Sequence, residues 1–182
     1  MKVIGVVGLP ASGKGEFSKI AESLGIPVVV MGDVIRNEVK KAGLPPTDEN
    51  LGSTANRLRA ERGMDAIANL CVDAINEKIA PLVLVDGIRG DAEVRVFRQS
   101  FPGFRLIAIE TSFEKRLERL SLRKRSDDNG SAEGLRTRDE REMSWGLANA
   151  LKMADITINN DGSLEDFTAC VTELIKRMEC DA

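Results

Sequence analysis

Near the start of the chain, the stretch Gly8-Leu9-Pro10-Ala11-Ser12-Gly13-Lys14-Gly15 carries the spacing G-x-x-x-x-G-K. The chemistry open to that spacing is the cradling of a polyphosphate. Glycines let successive amides turn toward an anion, a helix N-terminus adds a positive dipole end, and Lys14 reaches the β and γ phosphates. Gly15 and then Glu16 stand where a serine or threonine usually follows the lysine. The chain contains no histidine, which excludes imidazole bases, imidazole metal ligation and every Ser-His-Asp scheme. Chemistry must rest on Lys, Arg, Asp, Glu and backbone amides.

A phosphate loop works only between a strand and a helix. The runs VIGVV from Val3, IPVVVM from Ile26, LVLVDG from Leu82, RLIAIE from Arg105 and DITIN from Asp155 are short, β-branched and apolar on both faces, as buried parallel strands are. Helical patterns alternate with them. Phe17, Ile20, Ala21 and Leu24 follow the loop, and Asp65 to Ile79 puts Ile67, Leu70, Cys71, Ala74, Ile75 and Ile79 on one stripe. Thr111 with Glu114 and Ser163 with Asp166 have capping-box spacing, the second before Leu164, Phe167, Val171, Leu174, Ile175 and Met178. The expected fold is α/β, with a doubly wound, five-stranded parallel sheet. Two connections exceed simple crossovers. One, about 33–80, is helical with a break at Pro45-Pro46. The other, about 123–142, is polar and glycine-containing, and is expected to act as a mobile lid.

Bulk properties narrow the classes further. The 182 residues suit a single domain. The formal charge of −3 argues against nucleic acid as a partner through global electrostatics. No apolar run is long enough to span a bilayer and the N-terminus lacks signal-peptide zones, so a cytoplasmic protein that does not engage membranes is expected. Cys71, Cys170 and Cys180 are far apart and never in a CxxC pair, which indicates neither a disulfide framework nor a zinc site. A monomer or small homo-oligomer is expected.

The loop, written G-x-P-x-x-G-K-G, resembles that of adenylate kinase and related nucleoside monophosphate kinases, in which glycine also follows the lysine and magnesium is held largely through water. Those kinases usually carry threonine where this chain has Glu16, which leaves two roles open to that carboxylate: assisting a hydrated magnesium or favouring the helix dipole. MGDVIR resembles their G-D-x-x-R segment, giving Asp33 and Arg36, and VDGIRG resembles their D-G-x-P-R without its proline, giving Asp86 and Arg89. The resemblance implies that both arginines grip the acceptor phosphate and that Asp86 binds magnesium through water. RLSLR resembles their R-x-x-x-R, with Arg119 suited to stacking on a base and Arg123 to phosphate. RSDD and LRTR would set Arg125 and either Arg136 or Arg138 over the transferring group. Arg141 with Glu142 is read as an exposed charge pair. The closing ADITINNDGSLEDF is similar to dephospho-coenzyme A kinases, and the whole chain resembles an archaeal group of adenylate-kinase-related proteins.

The implied protein is one P-loop kinase domain over 1–182 that binds ATP and Mg2+ and takes a small nucleotide substrate. Lys14, Arg89, Arg123, Arg125 and Arg138 would be catalytic. Gly8 to Gly15 and Arg119 would bind ATP, Asp33, Arg36 and Arg89 the acceptor, and Asp86 the metal. The loop, Asp33 and Asp86 all fall at carboxyl ends of expected strands, where ligands of open α/β sheets bind. Two alternatives stay open. A hydroxyl could be phosphorylated, with Asp33 as base, or ATP turnover could drive a regulatory switch.

Overall fold

A computed structural model describes residues 1–122 and 131–180. Its strands are β1 (Lys2–Val7), β2 (Val28–Val30), β3 (Leu82–Ile88), β4 (Arg105–Glu110) and β5 (Ile156–Asn159). They form one parallel sheet in the order β2-β3-β1-β4-β5, the expected α/β architecture.

Side chains alternate across a strand, so the inner strands feed two cores. Val3 and Val7 of β1 and Val83 and Val85 of β3 pack with Leu58, Ile67, Ile75 and Phe97. These come from α3 (Asp48–Arg62), α4 (Ala66–Asn76) and α5 (Asp91–Ser100). Ile4, Val6, Leu82 and Leu84 turn the other way, against Phe17 and Ile20 of α1 (Lys14–Ser23) and Phe167, Val171 and Ile175 of α9 (Leu164–Cys180). Burial on both faces is why the inner strands read as continuous apolar runs; β5, expected to be buried on both faces, lies at the sheet edge and exposes Thr157 and Asn159.

The connection from β2 to β3 is helical, as its pattern requires: α2 (Met31–Lys41), α3 and α4. A break spans the two prolines, and the Thr47 hydroxyl then caps α3 by accepting from the Asn50 amide at 3.2 Å. Several local expectations are corrected. The second strand is only three residues long, because Met31 already opens α2. Ile79 lies beyond the end of α4 and is fully exposed, and Leu164 is exposed at the start of α9. The expected cap Thr111 is displaced by Ser112, whose hydroxyl accepts from the Lys115 amide at 3.4 Å ahead of α6 (Phe113–Leu122). Ser163 does cap α9, accepting from the Asp166 amide at 3.0 Å.

The stretch expected to be a polar lid is ordered helix in its second part, α7 (Ala132–Ser144). Ser131 caps it, accepting from the Gly134 amide at 3.0 Å, and Leu135 anchors it in the interior. A short helix, α8 (Leu147–Lys152), leads into β5. Among the described residues, no helix is long and apolar enough to cross a membrane.

Candidate active site

The phosphate loop joins β1 to α1, and its shape is fixed from behind. The Ser12 carbonyl accepts from Asn160 Nδ2 at 2.8 Å, Thr111 Oγ1 at 2.9 Å and Arg119 Nη1 at 3.3 Å. Arg116 donates to the Pro10 carbonyl at 3.2 Å and grips Asp139 of α7 with both ends of its fork, each at 2.8 Å. A trans peptide sets its carbonyl and the following N–H on opposite sides. With the Pro10 and Ser12 carbonyls held on the far side, the amides of Ala11 and Gly13 face the cleft. Gly13 has φ 116°, and a Cβ there would come within 2.2 Å of Asn160 Nδ2, so both conformation and space demand glycine. Ser12 Oγ is buried and has no hydrogen-bond partner among the described residues, as suits an atom that meets a phosphate oxygen.

Lys14 Nζ donates to the carbonyls of Gly8 and Leu9, the latter at 3.0 Å. Burial lowers its pKa to about 8, opposed by the carboxylates of Glu142 and Asp86 and reinforced by Arg89 and Arg138. An arriving phosphate would restore the charge. Glu16 does not line the cleft. It pairs along α1 with Lys19 at 3.0 Å.

A cleft of about 390 Å³ runs from this loop to Trp145. It brings together Pro10 to Gly15 with Asp33, Arg36, Asp86, Arg89 and Arg138. Gly8 and Leu9 lie behind, as partners of Lys14. Asp33 and Arg36 form an exposed pair at the rim, 2.7 Å apart. Asp86 accepts from Ser18 Oγ at 2.8 Å. It sits at a bulge in β3, where Gly87 adopts φ 100° and the register with β1 slips by one residue. Arg119 also donates to the Asn160 carbonyl at 2.6 Å, so the edge of its guanidinium is anchored under the loop. Of the two lid alternatives, Arg138 lines the cleft, while Arg136 lies 5.3 Å from the Phe113 ring. Arg123 and Arg125 lie outside the described residues.

The far wall holds groups that sequence reasoning missed. Arg59 and Glu93 are both buried and pair at 3.0 Å. Glu93 also accepts from the amides of Arg89 at 2.7 Å and Gly90 at 3.2 Å. Burial pushes the Glu93 carboxyl up and the Arg59 guanidinium down, and each partner holds the other charged. Arg59 lies over Trp145 at 4.4 Å, and Trp145 Nε1 donates to Asn56 Oδ1 at 2.8 Å. Arg89 donates to Glu142, which is completely buried. The expectation of an exposed Arg141-Glu142 pair is therefore overturned: α7 turns Glu142 inward, and Arg141 also lines the cleft. Besides Arg89, the lone tryptophan of the chain, Trp145, is a sequence feature that marks this wall.

A phosphate loop at the carboxyl end of the first strand of a five-stranded parallel sheet, facing arginines across a cleft, defines a P-loop kinase-like protein. The chain belongs to the AAA domain family AAA_17, matched over residues 7–136, and to the archaeal UPF0200 proteins. It is 82% identical to the UPF0200 protein of Methanoregula boonei over 98% of both chains. Its fold is similar to that of TT1252 from Thermus thermophilus, with TM-score 0.68, 18% identity and 96% of each chain covered. It is also similar to a gluconokinase from Sinorhizobium meliloti, with TM-score 0.60, 18% identity, 99% of this chain and 94% of that one covered.

Proposed function

We propose that the protein is an ATP-dependent phosphotransferase whose acceptor is a small molecule with an anionic group, a nucleoside monophosphate or a similar phosphorylated compound. One observation carries this reading: the phosphate loop with Lys14 and the arginines Arg36 and Arg89 line one cleft. ATP lies with its β and γ phosphates on Gly8 to Gly15 and Lys14, and the adenine lies against Arg119. Arg36 and Arg89 hold the acceptor in line, and Arg138, with Arg123 and Arg125, neutralises charge on the transferring group. Asp86, beside Ser18, would hold magnesium through water, and the ion would supply charge neutralisation to the phosphates. The small acceptor, the absence of membrane-spanning helices among the described residues and the catalytic scheme suit a cytoplasmic enzyme.

A second reading, phosphorylation of a hydroxyl, is favoured by the engagement of Arg89 with Glu142 and by the likeness to a gluconokinase, since gluconate is a hydroxy acid without a phosphate. Incubation with ATP, magnesium and a broad acceptor panel, scored for ADP and a new organic phosphate, tests the proposal. Release of inorganic phosphate alone with every acceptor would refute it and favour a regulatory ATPase.

A further inference from the structure

Four charged side chains run along the acceptor wall in one connected series: Arg59 to Glu93, Glu93 to the Arg89 amide, and the Arg89 guanidinium to Glu142. Both ends of the series are unpaired. Arg59 Nη1 and Glu142 Oε2 are buried and have no hydrogen-bond partner among the described residues, and both residues belong to the cleft wall. Buried polar atoms are nearly always paired, so each asks for a ligand atom: Nη1 for an acceptor, Oε2 for a donor.

The charges within the series are already matched, Arg59 with Glu93 and Arg89 with Glu142. A dianionic phosphate drawn to Arg89 would have to displace Glu142 or sit against it, like charge beside like charge. A neutral hydroxyl has no such conflict, because it donates to Oε2 and leaves the ion pair intact. The position also suits reaction. Glu142 is the carboxylate that acts most strongly on the Lys14 ammonium, the group that reaches for the terminal phosphates. Both carboxylates are ion-paired, Asp33 with Arg36 and Glu142 with Arg89, but Asp33 is exposed at the rim whereas Glu142 is buried. Water is the poorer nucleophile for this space. The cleft measures about 390 Å³ and is partly apolar, with Met31, Ile35, Leu51 and Ile67 in its lining, whereas a water needs only about 30 Å³.

We propose that Glu142 is a catalytic base that accepts the acceptor's hydroxyl, and that the acceptor is a small hydroxylated molecule whose other end offers a carbonyl, carboxylate or phosphate oxygen to Arg59. The inference rests on the phosphotransfer reading in its second form, phosphorylation of a hydroxyl, and it replaces an Arg89 grip on an acceptor phosphate with an acceptor hydroxyl at Glu142, which stays paired with Arg89. The acceptor oxygen forms a bond to the γ phosphorus of ATP. The bond from that phosphorus to the β,γ bridging oxygen breaks, and its electron pair leaves on ADP. The hydroxyl proton passes to Glu142 Oε2 and then to solvent after product release. A carboxylate so placed contributes about a hundredfold to ten-thousandfold in rate.

The test uses the full chain with ATP, magnesium and a panel of hydroxy acids, phosphorylated alcohols and nucleoside monophosphates. Phosphorus NMR separates a new phosphate ester from a new phosphoanhydride. An ester is expected, with kcat at saturating ATP lowered about a hundredfold or more in Glu142→Gln and partial recovery in Glu142→Asp. An anhydride product overturns the inference and leaves the phosphotransfer reading standing. An ester formed at undiminished kcat by Glu142→Gln removes the base role alone. Inorganic phosphate without any phosphorylated acceptor overturns both. Should Glu142→Gln fail to fold, the product identity from the unaltered protein and the kcat of Glu142→Asp still decide the matter.

Discussion

The donor end of the cleft is one continuous piece of chain, Gly8 to Gly15, whose work is done by backbone amides, a helix end and a single lysine. The acceptor end is assembled from Arg59 on α3, Arg89 after β3, Glu93 on α5 and Glu142 on α7, residues as many as 83 positions apart. The first region depends on conformation: Gly13 with its positive φ, and carbonyls tied back by Asn160, Thr111 and Arg116. The second depends on charge compensation in a low-dielectric setting, where each ion is tolerable only because its partner arrives from another segment. Loss of one side chain should therefore act differently at the two ends. At the loop it removes function and spares the fold, and on the far wall it damages the fold as well.

Lys14→Ala should have the largest effect, lowering ATP turnover about a thousandfold with an unchanged circular dichroism spectrum. Turnover within tenfold of the parent would remove the loop from the mechanism. On the other side of the comparison, Arg59→Ala leaves Glu93 charged and buried without its partner. It should cost about 3 kcal/mol of stability in urea unfolding. Arg36→Ala breaks a pair more than half exposed on both sides and should cost less than about 1 kcal/mol. Equal losses in the two variants would show that burial does not distinguish the rim from the wall.

A pH effect sharpens the contrast at the donor end. The Lys14 pKa is about 8 when folded, against 10.5 for the ordinary side chain. Between those values the unfolded chain keeps a proton that the folded chain has released, so this group makes stability rise with pH across that window. Phosphate binding needs the ammonium, and ATP affinity should fall as pH passes about 8. Calorimetric titrations at pH 7 and pH 9 would detect it, and stronger binding at the higher pH would contradict it. The smallest effect belongs to Glu16→Ala. Its carboxylate faces Lys19 outside the cleft, and turnover should change by no more than about twofold, the scale of an exposed pair. A tenfold fall would return Glu16 to the magnesium site.

How much was legible follows from the same contrast. The alternation of strands and helices, the helical insert with its proline break and the phosphate loop could be read because periodicity and turn chemistry act over neighbouring residues. Asp33, Arg36, Asp86, Arg89 and Arg138 could be nominated from motifs, and they do meet in one cleft. Their partners could not. Glu142 follows Arg141 in a strongly charged stretch and reads as solvent-facing, yet it is fully buried. Arg59 sits on a helix with charge on every side. Thr111 looked like a helix cap, but its hydroxyl is drawn to the Ser12 carbonyl by a loop 99 residues earlier.

The sequence alone determined that a parallel sheet would carry a phosphate loop at the end of its first strand, since glycine spacing and continuous apolar runs are local instructions. Only the tertiary structure decided which carboxylates face the arginines and which charges are sealed from water. Burial and ion pairing belong to surfaces that do not exist until distant segments meet, and no residue type encodes them by itself.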